Sequence, residues 1–141
     1  MKISQAGIDL IKRYETLRLK AYLPTPNDVP TLGWGHTDCV TLDDTCTEEQ
    51  AEEWLRQDCV WAEDCVNRHV TVPLQQNEFD ALVSLVFNIG GTNFIKSTLL
   101  RLLNDGDLDG ASEQFLRWDK QKGATLAGLT RRRKEEKELF A

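Results

Sequence analysis

The chain reads as an α+β protein, mainly α-helical, with a small β lobe joined by a long helix to a helical lobe and a cleft between the lobes. Three observations predict it. Apolar residues recur at helical spacing along most of the 141 residues. Residues 18–37 alone interrupt that pattern, with loose alternation (Leu19, Ala21, Leu23) followed by Pro24, Pro26, Asn27-Asp28, Pro30 and two glycines. Directly beyond this region, Thr47-Glu-Glu-Gln50 has the form of a capping box and opens a new helical pattern.

The elements follow in order. Ser4 is placed to cap a first helix whose Ile8, Ile11 and Tyr14 share a face, and which delivers Glu15 at its C-terminal end. Residues 18–37 form a hairpin or a three-stranded sheet with tight turns. A long helix from 47 to 69 carries Ala51, Trp54, Leu55, Ala62, Cys65 and Val66 on one stripe. Asp58 falls on that stripe, an odd place for a charge. Val70 to Pro73 ends it. A further helix starts near Gln75, turns Phe79, Leu82, Val83, Val86 and Phe87 inward, and stops at Gly90-Gly91. Others span about Ser97 to Asn104 and a segment with Leu108, Ala111, Phe115 and Trp118. The last covers 129–140, with Arg131–Glu135, Arg132–Glu136 and Lys134–Glu138 at i,i+4 spacing. The expectation is one domain, with a β lobe at about 15–46, a connecting helix at about 47–69 and a helical lobe at about 70–141 that includes the N-terminal helix.

Bulk composition narrows the function. A net charge of −6 argues against nucleic acid, whose phosphates call for a basic face. The basic run Arg131–Lys134 is expected to be a solvated helix face. No apolar stretch approaches the length of a membrane span, and residues 1–10 lack the apolar centre of an export signal. Cys39 and Cys46 flank a short loop and are placed to pair. Cys59 and Cys65 lie six residues apart on one helix, about 9 Å of rise and on roughly opposite sides. They are expected to be buried small hydrophobes. Neither C-x-x-C nor H-E-x-x-H is present, so no zinc site is expected.

Glu15 beside a Gly-Trp-Gly-His loop suits acid–base chemistry. A carboxyl held against apolar walls has its charged form disfavoured and donates a proton more readily near neutrality. Glycosidic cleavage needs such a donor and a second group that activates water or attacks the sugar. A helix-terminal glutamate in a surface ion pair is the plainer alternative.

The segments YETLRLKAY, TLGWGHT, TEEQAEEWLRQD, NEFDALVSLVFNIG, STLLRLLNDGDLDGASEQFLRW and GLTRRRKEE together resemble, in order and over nearly the whole chain, the phage-type lysozymes (endolysins of glycoside hydrolase family 24). The resemblance implies a lysozyme-like fold. It also implies hydrolysis of the β-1,4 bond between N-acetylmuramic acid and N-acetylglucosamine in peptidoglycan, for lysis of a bacterial host. It implies no cofactor and no metal. The partners implied are peptidoglycan glycan strands, with no membrane insertion and a monomeric protein. Such a protein waits in the host cytoplasm and reaches the periplasmic wall through a pore made by another protein.

By the family pattern, Glu15 matches the catalytic glutamate and Thr31 the threonine that positions water. The carboxylate expected nine residues beyond Glu15 is replaced by Pro24, in a loop one residue longer than usual. Asp28 is the one carboxylate left in that loop, either as the second catalytic group or as a turn residue. Thr37, Phe87 and Ser97 match substrate-binding positions, though Phe87 also fits the core. Ala127 stands where the family has an asparagine. His36 and Asp58 are expected to form a structural pair, and one of Arg131–Arg133 to reach Glu15. The missing carboxylate keeps lytic transglycosylation open, and a glycan-binding module without turnover is a further alternative.

Overall fold

A computed structural model describes residues 1–141. In chain order it contains α1 (Gln5–Tyr14), β1 (Arg18–Tyr22), β2 (Thr31–Gly33), α2 (Glu48–Asp58), α3 (Val60–His69), α4 (Gln76–Ile89), α5 (Gly91–Ile95), α6 (Thr98–Asn104) and α7 (Leu108–Gln114). A 3-10 turn (Phe115–Arg117), β3 (Lys120–Gln121), β4 (Ala124–Thr125) and α8 (Ala127–Phe140) complete it. The fold is α+β and mainly helical, with two small antiparallel sheets. No helix is long and apolar enough to cross a membrane. Backbone proximity divides the chain into two compact units, Ile11–Val60 and Met1–Leu10 with Trp61–Ala141.

In the unit Ile11–Val60, β1 pairs antiparallel with β2, Tyr22 opposite Thr31 and Arg18 opposite Gly33, with an irregularity between them. The third strand of the sequence reading shrinks to a single bridge, Lys20 with Thr45. Asp44 explains the stub, because its carboxylate accepts from the Thr41 amide at 2.8 Å and hydroxyl at 3.0 Å, curling the chain into a turn. The capping box forms as expected: Gln50 N–H donates to the Thr47 hydroxyl and Thr47 N–H to the Gln50 side chain. Ala51 and Leu55 of α2 are buried, as are Leu32 and Trp34.

In the other unit, α4 is the central helix, with every residue from Phe79 to Val86 buried. Its two polar residues in that run are satisfied. Asp80 accepts from the Ser4 amide at 2.9 Å and from Gln76 at 2.8 Å, and the Ser84 hydroxyl donates to Glu136. Ser4 stands before α1 as expected, yet its hydroxyl donates to Asp80. Phe115 and Phe140 pack with ring centroids 5.3 Å apart, tying the 3-10 turn to the end of α8.

Five features depart from the sequence reading. The helix expected over 47–69 is two helices, because the Cys59 N–H donates to both Leu55 and Gln57 carbonyls and tightens the last turn of α2. No Gly or Pro announces that break. Cys59 is buried as expected, but Cys65 is only half-buried. Residues 120–125 form a hairpin around Lys122 and Gly123, both at positive φ (50° and 81°), the backbone of a two-residue primed turn. The last helix begins at Ala127, two residues earlier than read. All four cysteines are free thiols, so Cys39 and Cys46 are unpaired in this structure.

Candidate functional site

Glu15 follows α1 by one residue, and its N–H still donates to the Ile11 carbonyl at 3.1 Å. The helical path thus extends just far enough to present the half-buried side chain. The segment it approaches is a tight reversal: Leu32 and His36 exchange both backbone hydrogen bonds at 2.8 Å, with Gly33, Trp34 and Gly35 looped between them. Both glycines are required. Gly33 has φ +67°, and a Cβ there would sit 3.1 Å from the Ala51 Cβ, so its absence lets β2 approach α2. Gly35 has φ +79°, and its missing Cβ would lie 3.9 Å from Glu15 Oε2. That distance places the Glu15 carboxylate directly beside the glycine turn.

The turn is held from three sides within this unit. Trp34 is buried, with the Lys12 ammonium 4.5 Å from its ring centroid, and Lys12 also pairs with Glu52 of α2. His36 Nδ1 is 2.8 Å from Asp58 Oδ2, and its ring stacks on Trp54. Thr31 is buried, and its hydroxyl donates to the Val29 carbonyl at 3.1 Å. The expected His36–Asp58 pair therefore forms. Asp58 is not a fully buried charge, however, since its side chain keeps 30 % of its exposure. The buried carboxylates are elsewhere: Glu63, which accepts from the Ile3 amide at 2.7 Å, Asp80 and Glu136.

Asp28 occupies a turn. Its N–H donates to the Thr25 carbonyl at 3.0 Å, and its Oδ1 accepts from the Val29 N–H at 3.0 Å. The residue is exposed, with one carboxylate oxygen committed to the turn. Thr37, just past the His36 anchor, is exposed.

Phe87 and Ser97 belong to the other unit. Phe87 is half-exposed and stacks on Trp61, with centroids 6.2 Å apart and planes 24° from parallel. The inward orientation read from its helical stripe is only partly realised. Ser97 is buried; its hydroxyl accepts from the Leu100 N–H at 3.0 Å and donates to the Phe94 carbonyl at 2.6 Å, so it caps α6. Ala127 is exposed at the first turn of α8.

The solvated reading of residues 131–134 fails at its two middle members. Arg132 and Arg133 are buried, while Arg131 and Lys134 are exposed. Both buried arginines share Glu136: Arg132 Nε lies 3.2 Å from Oε2, and Arg133 pairs with Oε1. Arg133 also donates to the Trp118 carbonyl at 2.8 Å and to Asn88 Oδ1. Burial pushes its guanidinium below the ordinary arginine range, and the Glu136 carboxylate opposes that shift. The sequence reading missed Glu136 as the hub. The i,i+4 spacing from Arg132 was visible, but one turn of the helix facing the core was not.

The phage lysozyme family model matches residues 12–136. An endolysin of Acyrthosiphon pisum secondary endosymbiont phage 1 is 50 % identical over 99 % of this chain and 98 % of its own length. The chain spans only about half, 55 % and 54 %, of two endolysins from the Bacillus phages PZA and B103, at 44 % and 43 % identity. Among solved structures, a variant of phage P22 lysozyme superposes with a TM-score of 0.90 at 42 % identity, covering 99 % of this chain and 98 % of the other. The muramidase domain of SpmX from Asticaccaulis excentricus reaches 0.90 at 41 % identity, covering 99 % and 97 %. With the glycine turn, its supporting histidine and the adjacent glutamate all in place, the chain belongs to the phage lysozyme family and is a lysozyme-type glycosidase of the endolysin kind.

Proposed function

We propose that this protein is a muramidase that hydrolyses the β-1,4 bond between N-acetylmuramic acid and N-acetylglucosamine in peptidoglycan. The observation that carries the reading is the approach of Glu15 Oε2 to the Gly35 turn, because a sugar oxygen can lie close to backbone only where side chains are absent. Glu15 is the general acid that protonates the leaving oxygen. Thr31 positions the attacking water: its donor is spent on Val29, which leaves its oxygen lone pairs to accept. Asp28 supplies the second carboxylate through the oxygen its turn does not use. Thr37 in the unit Ile11–Val60 offers surface to the glycan, and so, in the other unit, do Phe87 and Ser97, the latter fixing the start of α6. The protein acts as a monomer and meets the periplasmic wall after a pore made by another protein releases it from the host cytoplasm.

The test is digestion of purified peptidoglycan with mass analysis of the soluble muropeptides. Reducing-end muramic acid is expected from the native protein, with a loss of at least about a hundredfold in Glu15→Gln. Asp28→Asn is expected to fall by a similar order, and its retention of activity would remove Asp28 from the mechanism. One observation favours a second reading. Pro24 stands where the family carboxylate is expected, and Asp28 is already engaged in a turn. Lytic transglycosylation needs a single acid/base because the muramic acid's own hydroxyl closes the ring. Anhydro ends in the same digest would establish that chemistry instead.

A further inference from the structure

Asn88, Trp118 and Lys120 line one cavity of about 380 Å³ on the helical unit, and each brings an N–H that the fold leaves unused. Buried Arg133 fixes two of the three. It donates through Nε to the Trp118 carbonyl at 2.8 Å and through Nη2 to Asn88 Oδ1. With its oxygen engaged, the exposed Asn88 amide has only its NH₂ left to offer. The half-buried Trp118 indole N–H can only donate, and it has no partner. Lys120, exposed on β3, pairs with no carboxylate. Asn93 is set the opposite way: its NH₂ donates to the Ile89 carbonyl at 2.8 Å, which leaves its oxygen to accept. No aspartate or glutamate lines the cavity, although the chain carries a net charge of −6. We propose that this cavity binds a carboxylate on a short aliphatic stem, its oxygens taken by the Lys120 ammonium, the Asn88 NH₂ and the Trp118 indole N–H.

The chemistry selects the occupant. Converging donors with no facing carboxylate suit an anion and offer nothing to a cation. Arg133 has no exposed surface, so Lys120 is the one positive group a ligand can touch. A single negative charge matches it, whereas a phosphate dianion calls for a second exposed cation. Arg133 acts from behind, through its field. Burial disfavours its charged form, and an anion in the cavity opposes that cost. Asp119 also acts on Arg133, but it accepts from the Thr130 hydroxyl at 3.0 Å and lies outside the lining. Ile89, Leu129 and the Trp118 ring supply an apolar wall for the stem. The Asn93 oxygen is the acceptor for an amide N–H beside the carboxylate. An N-acylated amino acid presents all three features. Two sources carry that chemistry: the peptides borne by muramic acid in the wall, or a free acylamino acid. The first source rests on the muramidase reading, and the site itself does not.

The probes are N-acetylalanine and its amide, titrated into the native protein and read by the indole N–H resonance of Trp118 and by calorimetry. The acid is expected to move that resonance along its binding isotherm. The amide, equal in size but uncharged, should bind about tenfold more weakly, the worth of a charge-assisted contact. Lys120→Gln and Asn88→Ala should each weaken the acid about three- to tenfold. An unmoved Trp118 resonance, an amide that binds within about twofold of the acid, or Lys120→Gln within about twofold of the parent would each overturn the site. The resonance and the amide comparison need no substitution, so a variant that fails to fold leaves the test standing. Displacement assigns the source, using Glu15→Gln protein to keep the glycan chains intact. Chains that carry their peptides displace N-acetylalanine if the wall is the source, and stripped chains do not. Displacement by neither assigns the site to a free carboxylate. The two readings fail separately: muropeptide release without carboxylate binding sinks the site, and carboxylate binding without release sinks the muramidase.

Discussion

His36 Nδ1 lies 2.8 Å from Asp58 Oδ2 while the same imidazole stacks on Trp54 at 4.7 Å between centroids, so one side chain joins the glycine turn to two successive turns of α2. The His36 side chain retains 10 % exposure and that of Asp58 30 %. A hydrogen bond to a charged partner contributes about 1.5–3 kcal/mol when buried, and solvent on the Asp58 side reduces this. Asp58→Ala is therefore expected to cost about 1–2 kcal/mol in urea unfolding. Asp58→Asn keeps an acceptor for the ring N–H and should lose less. Equal losses in both variants would mean that the charge, not the hydrogen bond, carries the link.

The Arg132–Glu136–Arg133 cluster should be far less forgiving. Glu136 is fully buried, and removing it leaves two buried guanidiniums sharing no carboxylate. Glu136→Ala is expected to destabilise by about 3–5 kcal/mol, with Glu136→Gln intermediate. An unfolding midpoint unchanged from the parent would show that the arginines find other partners.

Gly35 separates strain from chemistry. Alanine at φ +79° costs about 1–2 kcal/mol in backbone conformation wherever it occurs. Gly123, at φ +81° with open space around it, is the matched control. Both Gly→Ala variants should lose similar stability, but only Gly35→Ala brings a methyl beside Glu15 and should lose peptidoglycan hydrolysis beyond that. Equal activity in the two variants would detach Gly35 from the site.

The thiols are predicted to react in a set order with iodoacetamide at neutral pH, read by peptide mass mapping. Cys39 is exposed and should label first; Cys59 is fully buried and should label only on unfolding. Cys46 and Cys65 should lie between, because burial raises both thiols above the ordinary range and keeps the thiolate scarce. The sign for stability follows. A raised folded value means the native state holds its proton longer than the unfolded one. That contribution is complete below the ordinary thiol pKa and is lost as pH climbs through the raised value. Cys65→Ala should flatten part of the alkaline loss, and an unchanged profile would rule the thiol out as a contributor.

Much of the molecule was legible from local chemistry. The Thr47–Gln50 capping box, the Gln75 start and Gly90 stop of α4, and the Ser97 start of α6 are signals completed within three or four residues, and each appears where the sequence places it. The glycine pair around Trp34 was likewise readable as a tight turn, and Glu15 as the residue a helix delivers to it. The break at Cys59 was not readable, because a tightened turn without Gly or Pro leaves the periodicity nearly intact. The 120–125 hairpin escaped because its strands are two residues long and exposed, too short to show alternation.

The partners of charges and rings were decided elsewhere. A run of Arg-Arg-Arg-Lys has the same composition whether solvated or buried. Only the packing of α8 on α4 turned Arg132 and Arg133 inward, against Glu136 and Ser84. Asp28 could be read as a loop carboxylate, but its use as an acceptor for Val29 depends on the conformation of the longer loop. The stacking of Trp61 on Phe87 likewise joins two helices and exists only in the folded chain. Propensity, capping and periodicity act along a few residues of chain and are therefore written in it. Burial and pairing depend on which distant surfaces meet, and they exist only once the chain has folded.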